Sequence, residues 1–186
     1  MNDAGDEGGW LRLGTDNWQA DLLRIVQRVT VVLGGLVCIP SVWLALEAGA
    51  VGVAVVDVVG LAGLITLTAA TRWPFSLRSI GTCVVFFAIG VGLLIGVGPI
   101  SQIYLFAFSM FATLLLGLRA GLVTVVVNAI TFGIVGAVGL TNGTMRGPAW
   151  GSDLSGWIVV TGNFLMLNVC LVVALGAVLT RLQRSL

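Results

Sequence analysis

Six long apolar runs, separated by short polar or glycine-containing breaks, dominate the chain. They fall near 29–46, 50–70, 79–97, 102–118, 120–140 and 157–180. Each approaches the roughly 20 apolar residues needed to cross a bilayer. Each is too long and too continuously apolar for a buried strand, and none alternates as a spanning barrel would. The pattern predicts an all-α membrane protein, a bundle of six transmembrane helices over 29–180. Ahead of the first run, residues 16–28 read DNWQADLLRIVQR. Asp16 is a candidate N-cap, and Trp18, Leu22, Ile25 and Val29 share one helical face. That predicts an interfacial amphipathic helix leading into the first span. Residues 1–15, opening MNDAGDEGG, read as a disordered acidic and glycine-rich tail without the positive start of a cleavable leader.

Composition agrees with the pattern. Of the 186 residues, 58% are hydrophobic and only 9% charged, where a soluble domain carries about a quarter. Such a chain cannot cover its own surface with polar groups, so its first partner is the lipid bilayer. Net charge is +1 with no basic patch, which excludes nucleic acid as a partner. The nine basic residues are all Arg. With the N-terminus in the cytoplasm, Arg12, Arg24, Arg28, Arg72, Arg78, Arg119, Arg181 and Arg184 lie inside and only Arg146 outside. The positive-inside rule therefore places both termini in the cytoplasm, as an even number of spans requires. Trp43, Trp150 and Trp157 fall at outer edges and Trp73 at an inner one, positions suited to interface anchoring. The outer loops, the longest at 141–156, are too short to form a folded external domain.

Little in the sequence suggests catalysis. There is no His, which removes the commonest general base and metal ligand. Cys38, Cys83 and Cys170 lie in separate runs and form no CxxC pair, so they read as small buried hydrophobes. No cofactor or metal is expected. GVGPIS at 96–101 lacks the Lys-Ser/Thr of a phosphate loop and reads as a turn closed by Pro99.

Asp57 is the one acidic residue well inside a run, roughly 10 Å below its outer edge at ~1.5 Å per residue. A charge at such depth costs about 2.5–3.5 kcal/mol, so Asp57 should face protein or water, or be protonated against an amide. By depth alone Asp57, Gln102, Tyr104 and Asn163 line a small pocket open to the outer leaflet. Asn128 and Asn168 fall near the midplane and are expected to hydrogen-bond between helices. Two stripes of small residues, Ala88, Gly92 and Gly96 in the third run and Ala129, Gly133 and Ala137 in the fifth, predict packing seams.

The chain closes with LGAVLTRLQRSL, where Leu175, Leu179, Leu182 and Leu186 are four, three and four residues apart. That period suits a helix wound against a partner. Residues 181–186 thus read as the start of a cytoplasmic signalling helix that is cut short. Residues 72–130, with the Arg-flanked inner loop, the turn at Gly98, Pro99 and Tyr104, and LLLGLRAGL at 114–122, resemble the multi-span N-terminal region of bacterial sensor histidine kinases, hybrid and PAS-containing ones above all. The closing LTRLQRSL resembles the helix that leads into their signalling modules; a cyclase or PAS protein with the same input region shares these features. The resemblance implies a signal-input domain of a two-component system in the bacterial inner membrane. It would be homodimeric through the sixth span and would respond to a stimulus within the membrane, such as a small lipophilic ligand. The chain itself has no phospho-acceptor His and no nucleotide-binding domain. A small transporter or channel is the runner-up, and a structural membrane subunit a third reading. A membrane enzyme comes last.

Overall fold

In the computed structural model, the backbone is described over residues 7–142 and 154–185, and side chains over 19–139 and 154–182. The first helix, α1, runs unbroken over Glu7–Glu47. At ~1.5 Å per residue its 41 residues span about 60 Å, twice the roughly 30 Å hydrocarbon core. The expected tail, interfacial helix and first span are therefore largely one element, and Asp16 lies within it rather than capping it. The first proline of the chain is Pro40, so nothing earlier removes a helical hydrogen bond.

The inward face of α1 is distinct from the apolar face expected at the interface. Ile25 and Val29 are 60% and 49% exposed, and the Trp18 side chain lies outside the described residues. The stripe that turns inward is Leu23, Gln27, Thr30, Gly34, Cys38, Ser41 and Ala45. Small and polar groups face protein while bulky aliphatics face out, the arrangement lipid demands.

Five further helices follow: α2 (Val51–Ala69), α3 (Phe75–Gly96), α4 (Gln102–Leu116, entered by a 3₁₀ turn at Pro99–Ser101), α5 (Leu118–Asn142) and α6 (Leu154–Ser185). All six helices are long and apolar enough to cross a membrane, and no strand occurs among the described residues. Gly117 alone joins α4 to α5, at φ +93°, a conformation that favours glycine.

Consecutive helices pack antiparallel. Ser41 meets Asp57 across α1 and α2, Phe87 meets Phe108 across α3 and α4, and Asn128 meets Leu105 across α5 and α4. The up-and-down order gathers Arg24, Arg28, Arg72, Arg78, Arg119 and Arg181 at one end of the bundle, the arginine end. Arg12, Arg146 and Arg184 lie outside the residues with described side chains.

The tightest seam joins α2 to α3. A Cβ added at Gly92 would lie 2.6 Å from Val56 Cγ2, one at Gly96 2.7 Å from Val53, and one at Gly60 2.5 Å from Ile89. Each glycine is a notch for an aliphatic knob on the facing helix. Ala88, expected in the same stripe, is exposed and off the seam. In α5 the expected stripe turns outward: Ala129 is half-buried, Ala137 is exposed, and Gly133 has open space where a Cβ would be. The glycines that bring α5 close to its neighbours are Gly121, against Thr113 and Val172, and Gly136, against Trp157.

Two apolar centres result. Phe86, Phe108, Phe111 and Leu115 anchor one between α3 and α4. The other joins α3, α4, α5 and α6 through Leu94, Leu105, Phe132, Trp157 and Phe164. Trp157, expected at the interface, is 5% exposed and donates its indole N–H to the Phe132 carbonyl at 3.2 Å. Its ring fits over Gly136, which makes the core the better home for it. Trp150 lies outside the described residues.

Candidate ligand cavity

Helix α1 packs chiefly on α2 and touches α3 and α4 only lightly. This leaves a cavity of about 230 Å³ where the four helices converge. Thr30, Cys38 and Ser41 reach it from α1, Asp57 from α2 and Tyr104 from α4. Leu61, Leu64, Phe86 and Ile89 supply an apolar floor, and Leu33 and Val37 form a rim that is 57% and 60% exposed on the outer surface.

Asp57 is half-buried and accepts a hydrogen bond from the Ser41 hydroxyl on Oδ2 at 2.5 Å. The partner is thus a hydroxyl on α1, not the amide expected from the sequence. Among the described residues Ser41 is the sole partner of Asp57, and the Tyr104 hydroxyl has none. The second carboxylate oxygen and the phenol therefore remain available to a ligand.

Of the four residues grouped by depth, Asp57 and Tyr104 share this cavity. Gln102 does not line it, although its Oε1 is buried without a hydrogen-bond partner. Asn163 is exposed on α6, which packs on α4 and α5 and not beside the cavity. Depth fixes a level in the bundle but not a direction around a helix. The contribution of α1 was missed, though the run Thr30, Gly34, Cys38 and Ser41 at spacings of four, four and three carries the signal.

The two midplane amides differ. Asn128 donates through Nδ2 to the Leu105 carbonyl and to Ser109 Oγ, both at 3.0 Å, and ties α5 to α4. Asn168 is fully buried, yet neither its Nδ2 nor its Oδ1 has a partner among the described residues. The expected bond between helices is not made.

A second polar cluster lies toward the arginine end. Arg78, expected in a loop, stands in the first turn of α3 and is 7% exposed. It donates to Gln27 Oε1 and, through Nε at 3.3 Å, to the Leu67 carbonyl. Gln27 donates in turn to Thr82 Oγ1 at 2.8 Å, and Thr82 closes the ring on the Arg78 carbonyl. The i, i+4 spacing of Arg78 and Thr82, with Gln27 on the small-residue stripe of α1, was its trace in the sequence.

Six helices long and apolar enough to cross a bilayer, with many large aliphatic side chains exposed on the outer surface, define a multi-pass membrane protein with a cavity between its helices. Residues 17–182 match the family model MASE11, and the chain belongs to this family of membrane-associated sensor domains. No match was found among curated proteins or solved structures.

Proposed function

We propose that this chain is the signal-input domain of a bacterial sensor histidine kinase, set in the inner membrane with the arginine end in the cytoplasm. The observation that carries the reading is the cavity under α1, with Asp57 and Tyr104 free to bind. It suits a small lipophilic molecule with one polar end. The apolar floor takes the body, while Asp57 and Tyr104 take the head.

Tyr104 stands two residues from Phe106, whose ring meets Phe164 of α6 edge-on at 5.5 Å. Phe164 stacks on Phe132 of α5 at 4.6 Å. A ligand that draws on Tyr104 shifts α4, and this aromatic contact passes the shift to α6. Helix α6 then runs unbroken to Ser185. Its 32 residues span about 48 Å at ~1.5 Å each, well beyond a bilayer core. Leu175 and Leu179 are half-buried on the chain's own bundle and Leu182 is 44% exposed, which supports a pairing surface that starts from Leu182. Leu186 lies outside the described residues. Moving such a switch from 1:99 to 99:1 takes about 5.5 kcal/mol of differential binding.

The test joins the chain after Ser185 to a dimeric kinase core in nanodiscs and follows autophosphorylation. Asp57→Leu and Tyr104→Phe should each change basal output several-fold and blunt its response to membrane-soluble quinones or fatty alcohols. Unchanged output from both variants, correctly folded, would overturn the reading.

A further inference from the structure

At the arginine end, Arg24, Arg28 and Arg78 converge with Thr68 and Thr71 on a separate cleft of about 260 Å³. We infer that this cleft binds a phosphate group, carried either by an anionic lipid headgroup or by a soluble phosphate compound. The inference does not depend on the sensing role proposed above.

The charge pattern is the first argument. Arg78 is more than nine-tenths buried, and its hydrogen-bond partners are the neutral oxygens of Gln27 and Leu67. A buried guanidinium ordinarily has a counter-charge. None is present here: among the described residues the one ion pair is Arg24–Asp21, at 3.4 Å between two exposed side chains. Such a pair contributes little. No carboxylate lines the cleft.

Geometry supplies the rest. Arg24 and Arg28 are one turn apart on α1, a spacing at which like charges repel unless an anion lies between them. A guanidinium has five N–H donors in a fork that matches phosphate oxygens, and Arg78 spends only part of its set on Gln27 and Leu67. Thr68 at the end of α2 and Thr71 in the following turn add hydroxyls. Thr68 already donates its hydroxyl proton to the Leu64 carbonyl, so of the two hydroxyls only that of Thr71 adds a donor for the ligand. The guanidinium groups therefore carry recognition. The cleft lies level with the α2–α3 turn, where the apolar spans of α2 and α3 end.

The experiment uses the whole chain in detergent. Native mass spectrometry measures retention of dioleoyl-phosphatidylglycerol against dioleoyl-phosphatidylcholine, and thermal melting measures binding of inorganic phosphate. Selective retention of phosphatidylglycerol marks the lipid source, and stabilisation by phosphate alone marks the soluble one; either supports the site. Arg24→Gln and Arg28→Gln, both on exposed side chains, should each weaken binding about fivefold, the weight of one basic residue against an anionic surface. Gln27→Glu supplies the missing counter-charge from within and should weaken binding at least as much without lowering the melting temperature of the unliganded chain. Equal retention of the two lipids with no phosphate binding would overturn the inference. So would binding that the Arg24→Gln, Arg28→Gln pair leaves unchanged.

Discussion

Asp57 and Arg78 are ionisable side chains drawn into the bundle among the described residues, and each takes a hydrogen-bond partner from α1. Removing Ser41 from Asp57 takes away a hydrogen bond between helices. A double-mutant cycle of Ser41→Ala with Asp57→Asn should return a coupling of about 0.6–2 kcal/mol in detergent unfolding. Zero coupling would mean that the two side chains do not meet in the bilayer. Gln27→Leu leaves a buried guanidinium with one acceptor fewer, and should cost about 1.5–3 kcal/mol, read as an earlier unfolding midpoint. These residues also mark the limit of reading a site from sequence. The depth of Asp57 and Tyr104 followed from counting along the spans, and the cavity does join them. Asn163 shares the depth but points away. Which way a side chain faces depends on which helices are neighbours, and that order is not written in a run of aliphatic residues.

The spans themselves were easier to read, because hydrocarbon thickness sets their length. Their packing faces followed only where glycine had a bulky counterpart opposite. Gly92 and Gly96 meet Val56 and Val53, and they do form a seam. Gly133 has no neighbour within contact of a Cβ, so the same spacing in α5 produces no seam within the chain. The contrast is testable. Gly60→Val or Gly92→Val forces a knob out of its notch and should cost about 1–3 kcal/mol. Gly133→Val should leave the unfolding midpoint of the monomer unchanged. A lead-in helix separate from the first span was expected, but continuity won because residues 16–39 contain no proline to end the helix. The inward face of α1 does not follow the rule for soluble helices, which turn the largest apolar side chains inward. Against lipid the sign reverses, and Gln27, Thr30 and Ser41 become the interior.

For the molecule as a whole, the family match accounts for nearly the full length, and the fold supplies a cavity under α1 and a long last helix. Pairing of two copies is proposed to begin at Leu182, which is 44% exposed. Leu182→Cys, in a background lacking Cys38 and Cys170, should give a disulfide-linked dimer on oxidation in native membranes. Thr180→Cys, also exposed but about 160° around the helix from Leu182, serves as the off-seam control and should crosslink far less. Equal yields at the two positions would remove the seam.

The cavity rim adds one further consequence. Because Leu33 and Val37 open onto the apolar outer surface, a ligand of the proposed kind would reach the cavity from dissolved stock in the acyl chains, not from the surrounding buffer. Occupancy then tracks the mole fraction of the compound among lipids. Adding empty liposomes at constant total compound should dilute that stock and shift any titration curve to the right, in proportion to lipid added, with the protein itself unaltered.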